Sequence, residues 1–249
     1  MDLEHAGICE KILEMGNWKN TTERYVCFLD IMGFKDRLTR HGHESILSEI
    51  QEFYKYIGEI IDEFVEDIKN DVDWNNAFGP TEIRHITFSD SILLVTGGKH
   101  KRDLTLLILV CAFVLEKSMH MKFPIKGALF KGLFTADFEN NIFLGQPLVD
   151  AYILQEDLQY YGVIANRDVE KDIDLNFESE DYKTLVFSIE TPMKGYKTKH
   201  RNITIISYDL EKSTLDDLYY SVDGKARVYV DNTIQVFDKM NQEMDKLKN

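Results

Sequence analysis

The chain is poor in cysteine and in positive charge, and it lacks a long apolar run. Only Cys9, Cys27 and Cys111 occur in 249 residues, an odd number with neither disulfide nor metal-site spacing. That argues against a disulfide-stapled secreted domain and against a zinc module. Cys27 and Cys111 lie in apolar runs, where a reduced thiol behaves as a small hydrophobe. Lysine and arginine total 29 against 43 acidic residues, a formal net charge of -14. Such a field repels polyanions, so a nucleic acid polymer or an anionic membrane is a disfavoured partner. A nucleotide that brings its own divalent metal is not excluded. The longest apolar run, 104–115, is too short to span a bilayer. The opening Met1-Asp2-Leu3-Glu4-His5 lacks a signal-peptide core. The expectation is a cytoplasmic protein.

What is present is ample core material: 44% hydrophobic and 12% aromatic residues, enough for one large domain. No repeat or low-complexity linker interrupts it. Residues 1–22 read as a short helix, 8–15, and a polar turn. The run 25–31 reads as a buried strand entering a tight Met-Gly turn. Ile46, Ile50, Phe53, Ile57, Ile60, Phe64 and Ile68 recur at three- and four-residue steps, which predicts a long amphipathic helix. After a loop over 71–80, residues 82–95 read as a hairpin turning near Ser89-Asp90. Residues 104–120 are apolar nearly all round and predict a buried helix.

A strand is expected over 125–134, a turn at Asn140-Asn141, and a short strand at 142–144. Gly145-Gln146-Pro147 opens a helix with proline in its first turn, and 162–165 is a short strand. The order is therefore β-α-β-β-α-β, an α+β, ferredoxin-like domain over 23–167 with an antiparallel sheet covered by helices. Residues 168–249 read as a C-terminal elaboration of the same domain. They carry strands at 184–189 and 203–208 and a final amphipathic helix at 230–247.

Two acidic residues sit where apolar strands end. Asp30 closes a hydrophobic strand, a position where a carboxylate needs a partner or a metal. Gly33 lets the backbone turn and direct N–H groups at an anion, more so if a helix begins there. Asp90 lies at the turn of the apolar hairpin. A lone aspartate of either kind is often just a turn or a helix cap. On strands expected to be neighbours, the two carboxylates would repel unless a cation lay between them, and an all-oxygen site favours Mg²⁺ or Mn²⁺.

Phe28-Leu29-Asp30-Ile31-Met32-Gly33-Phe34 followed by Thr87-Phe88-Ser89-Asp90-Ser91 resembles the metal-binding pair of class III nucleotide cyclases. Within that family it looks most like the bacterial pyrimidine cyclases of Pycsar antiphage defence. Lys126-Gly127-Ala128-Leu129-Phe130-Lys131-Gly132 resembles the family's Arg-Gly-Gly strand. Residues 145–155 resemble its Gly-x-Ala-Leu-x-x-Ala-Tyr-x-Leu-Glu helix. The resemblance spans about residues 24–165.

It implies two divalent cations (Mn²⁺ or Mg²⁺) held by Asp30, Asp90 and the Ile31 carbonyl, with backbone N–H groups of Met32, Gly33 and Phe34 on the phosphates. It implies UTP as substrate, cyclised to cUMP, with CTP and cCMP as the alternative. It further implies a homodimer whose 145–158 helix faces the partner's metal pair, and a separate effector that reads the cyclic nucleotide. The asparagine and arginine of purine cyclases are replaced by Val149 and Ile153, and their purine-reading lysine and aspartate by Ile86 and Ile142. The family's helix-end glutamate is Gln155, and Tyr161-Gly162 stands where Pro-Arg is usual. The missing helix cation leaves Lys126 and Lys131 as candidates for stabilising the transition state, although a strand lysine is more often a solvated edge charge. A catalytically silent nucleotide-binding domain is the reading of a different class. A diguanylate-type cyclase is a weaker one, since no Gly-Gly-Asp-Glu-Phe-like hairpin occurs at Ser89-Asp90.

Overall fold

The computed structural model describes residues 18–70, 81–176, 185–203, 212–222 and 224–248. The helix expected at 8–15 and the loop at 71–80 lie outside them. In chain order the strands are β1 (Thr21–Ile31), β2 (Ile83–Phe88), β3 (Ser91–Thr96), β4 (Ile125–Asp137), β5 (Ile142–Leu144), β6 (Val163–Ala165), β7 (Val186–Met193) and β8 (Tyr196–Ile203). The helices are α1 (Phe34–His41), α2 (His43–Asn70), α3 (Lys101–His120), α4 (Gln146–Asp157), α5 (Arg167–Asn176), α6 (Lys212–Ser221) and α7 (Arg227–Lys248).

These strands form one eight-stranded sheet of order β2-β3-β1-β4-β6-β8-β7, with β5 paired to β4. The α+β, ferredoxin-like expectation holds, because β2-β3-β1-β4 is the antiparallel core of a β-α-β-β-α-β unit. One pair, β4 with β6, is parallel. Side chains alternate across each strand, so the sheet has two cores. Cys27, Leu29, Ile31, Ile92, Leu94, Ile125 and Leu129 pack against the apolar faces of α2 and α3. Val26, Phe28, Leu93, Val95 and Ala128 face the other way, toward α4 and the Val236, Met240 and Met244 stripe of α7.

Gly127 is required where β4 crosses β1, since a Cβ there would lie 2.5 Å from both Leu29 Cδ2 and the Phe28 carbonyl oxygen.

In the C-terminal part, the strand expected at 184–189 runs over Val186–Met193, and its partner is Tyr196–Ile203, a strand the sequence reading did not expect. Of the strand expected at 203–208, residues 204–208 lie outside the described residues. Lys197, Lys199 and Arg201 disguise β8 as a charged turn; its first four residues are exposed, so no apolar alternation marks it. β7 and β8 join the same sheet through β6.

Candidate active site

β1 delivers Asp30 to the sheet's end between two neighbours, and its register partners are Ser91 on β3 and Lys126 on β4. Directly paired residues share a face, so Ser91, Asp30 and Lys126 form a row on the α4 side. Asp90 occupies the β2–β3 turn beside it, and its carbonyl accepts the Ile31 N–H at 2.8 Å. That turn is held by α2: the Tyr54 hydroxyl donates to the Ser89 carbonyl at 2.6 Å, and Ser89 is left-handed at φ 57°. The two acidic motifs therefore meet, as expected from the strand pairing.

The Asp30 carboxylate takes no hydrogen bond or ion pair among the described residues. Its pKa is pushed up to about 6, first by burial and then by Asp90 and Glu156, with Lys126 opposing. Burial and Asp90 also push the Tyr54 hydroxyl up to about 12. An uncompensated pair of carboxylates has the hard-oxygen donor set that suits Mg²⁺ or Mn²⁺. Among the described residues no group of three or more histidine, cysteine or acidic side chains gathers to hold a metal. Two carboxylates alone suit a cation that also uses backbone carbonyl, water and substrate phosphate.

Gly33 makes the turn that follows, left-handed at φ 75°, as the N-cap of α1. Arg37 anchors that helix by donating to the Lys122 carbonyl and to Glu49, both at 2.6 Å. Of the three N–H groups expected to face a phosphate, one has a partner within the fold. The Met32 N–H already donates to the Pro124 carbonyl at 2.8 Å. The N–H groups of Gly33 and Phe34, like those of Lys35 and Asp36, come before the first intrahelical bond, from Arg37 to Gly33, where a helix start leaves N–H groups open to an anion.

The two candidate lysines separate cleanly. Lys131 pairs with Asp172 of α5 at 2.5 Å, and that carboxylate also accepts the Tyr25 hydroxyl at 2.9 Å. It lies across from Tyr25 on the sheet face opposite Asp30, so it is not brought to the site. Lys126 is 3% exposed, with its ammonium 3.9 Å from Glu156 at the end of α4. Burial lowers its pKa, and Glu156 and Asp30 oppose that shift.

Three further residues escape the sequence reading: Glu156, Lys194 in the β7–β8 turn, 3.7 Å from Glu156, and Tyr229 of α7, whose ring lies 5.8 Å from the Lys126 ammonium. No motif marks them, because chain segments far apart bring them together. Alongside, Tyr152 of α4 packs edge-on against Phe28 at 5.7 Å. Val149 and Ile153 point outward, 50% and 57% exposed.

The fold is that of nucleotide cyclase catalytic domains. It matches the catalytic core of a rhodopsin-guanylyl cyclase with converted specificity in complex with ATPalphaS, at 15% identity and a TM-score of 0.51, covering 75% of this chain and 99% of that one. It also matches the non-canonical dimeric guanylyl cyclase domain of the RhoGC fusion protein from the aquatic fungus Blastocladiella emersonii, at 14% identity and a TM-score of 0.51, covering 74% and 98%. No protein-family model and no curated protein matches the chain. Among the described residues no helix is long and apolar enough to cross a membrane.

Proposed function

We propose that the chain is a pyrimidine nucleotide cyclase that converts UTP to 3′,5′-cyclic UMP and pyrophosphate, producing a second messenger for antiphage defence. The observation that carries the reading is the meeting of Asp30 and Asp90 at one sheet end on a cyclase fold. Bound by Asp30, Asp90 and the Ile31 carbonyl, two divalent cations would supply the charge neutralisation needed for in-line attack of the ribose 3′-hydroxyl on the α-phosphate. The Gly33 and Phe34 N–H groups orient the outer phosphates at the α1 N-terminus. Lys126 supplies the positive charge that α4, with Val149 and Ile153, does not.

The preference for a pyrimidine rests on the apolar Ile86 and Ile142 at positions where purine cyclases carry polar contacts. A homodimer is part of the reading, with Leu133, Leu144, Val149, Tyr152 and Ile153 as its apolar contact surface, all half or more exposed in the single chain. The cyclic nucleotide would act through a separate effector.

The test is incubation with each of the four nucleoside triphosphates and Mn²⁺, with chromatography of the products. Cyclic UMP with released pyrophosphate is expected. Cyclic CMP would move the assignment to the cytidylate alternative. Release of pyrophosphate from none of them would leave a silent nucleotide-binding domain.

A further inference from the structure

The C-terminal helix α7 begins beside Lys126, the strand partner of Asp30, and its packing there is built rather than incidental. Tyr229, in its first turn, stacks on Tyr161 with ring centroids 5.8 Å apart and planes 17° from parallel. The Tyr161 N–H donates to Thr233 Oγ1 at 2.9 Å, and that hydroxyl donates to the Tyr229 carbonyl at 2.7 Å. Asn232 of the same helix donates to the Gln159 carbonyl at 2.8 Å. Two bonds and a stack thus fix the start of α7 to the segment that follows α4, and the Thr233–Tyr229 bond braces the helix's own first turns. The Tyr229 ring is held 5.8 Å from the Lys126 ammonium, which itself lies across the strand pair from Asp30.

Its hydroxyl, by contrast, takes no hydrogen bond among the described residues, although the ring is half-buried. Burial, Glu156 and Asp30 hold the phenol protonated, with Lys194 opposing. A protonated phenol is a hydrogen-bond donor. An acceptor-rich anion fits it best in a place where two ammonium groups, Lys126 and Lys194, converge on Glu156.

We propose, resting on the cyclase reading above, that Tyr229 is a substrate-contacting residue of the nucleotide site and donates its hydroxyl hydrogen to a phosphate oxygen of the bound triphosphate. The C-terminal elaboration then completes the site from within the same chain.

Tyr229→Phe tests this, because it keeps the stack and the packing and removes only the donor. Two readouts are used: steady-state cyclisation of UTP with Mn²⁺, and equilibrium binding of 3′-deoxy-UTP with Mn²⁺, which lacks the attacking hydroxyl and cannot turn over. The expected result is a fall of about 10- to 100-fold in kcat/KM, the range of one hydrogen bond to a charged group, with an unchanged melting temperature. Weaker binding of 3′-deoxy-UTP would place the bond in the ground state. A loss confined to kcat would place it in the transition state, and either supports the assignment. A parent enzyme that cyclises UTP, with Tyr229→Phe matching it in both readouts, would overturn this inference alone. A parent that neither binds 3′-deoxy-UTP nor releases pyrophosphate would remove the cyclase reading and this inference with it.

Discussion

Lys126 stands directly opposite Asp30 on the neighbouring strand, with its ammonium nearly sealed from solvent at 3% exposure. A buried ammonium is costly unless its partners are well placed, and the contact to Glu156, at 3.9 Å, is loose. Such a group contributes little to folding and is poised to meet charge that arrives with a ligand. Lys126→Met keeps most of the side-chain volume and deletes the charge. Stability should stay within about 1 kcal/mol of the parent, since the costly buried ammonium is removed and the Glu156 it leaves behind is 45% exposed and can be solvated. The cyclisation rate should fall about 100-fold or more, roughly 3 kcal/mol of transition-state stabilisation. Melting curves and product chromatography measure the two separately, and a parent-like rate would reduce Lys126 to a packing residue.

Asp30 makes the stability of the metal-free protein depend on pH. Its pKa in the folded chain is about 6, above the ordinary 3.8, because of burial and Asp90. The folded state therefore holds this proton more tightly than the unfolded state. Its contribution is fully present below about pH 4 and is lost as pH rises through about 6. After discounting for a partly exposed carboxylate, the loss should be about 1 kcal/mol. Thermal unfolding in a chelator at about pH 5 and about pH 7.5 should show the parent losing this increment. Asp30→Asn should not lose it. Equal pH dependence in the two proteins would mean that the carboxylate is already compensated.

The strongly periodic elements were legible from sequence: the 46–68 stripe lies in α2, the apolar 104–120 segment in α3, and Gly145-Gln146-Pro147 opens α4. Asp30 and Asp90 could be placed together because β1 and β3 are apolar runs whose pairing a β-α-β-β-α-β order dictates. Lys126 and Lys131 could have been separated by parity alone: an odd number of positions apart on one strand, they face opposite sides. β8 escaped because its lysines and arginine hide an exposed strand. Glu156, Lys194 and Tyr229 escaped for another reason. Their meeting depends on how α4, the β7–β8 turn and α7 converge, and no local pattern encodes a convergence of segments far apart in the chain.

The outward face of α4 gives the third prediction. Tyr152 and Ile153 are 51% and 57% exposed, and Leu133 and Leu144 on the neighbouring β4–β5 hairpin are 62% and 58%. Large side chains left in water on adjacent elements form the apolar surface on which the proposed homodimer would meet. Ile153→Arg places a charge on that face without touching either buried core. In the homodimer proposed above, it should shift the protein from dimer to monomer in sedimentation or light scattering, and cut cyclisation at least about 10-fold where the site is shared between subunits. A variant that remained dimeric would move the interface elsewhere on the chain.

Asp30 and Asp90 carry the last prediction, and the reason lies in what each side chain does not do. Neither carboxylate bonds to another described residue: the Asp90 link to Ile31 runs through its backbone carbonyl, and Asp30 is paired in the sheet through backbone register with Ser91 and Lys126. Replacing either by alanine removes a candidate metal ligand while leaving the hairpin, the strand pairing and the Tyr54 anchor intact. Asp30→Ala and Asp90→Ala should therefore fold with parent-like far-ultraviolet circular dichroism and oligomeric state. Both should lose cyclase activity by about 1,000-fold or more, since a metal that loses a carboxylate loses both position and affinity. Direct Mn²⁺ binding, followed by electron paramagnetic resonance, should weaken in parallel. Activity that survived both substitutions would detach the chemistry from this end of the sheet.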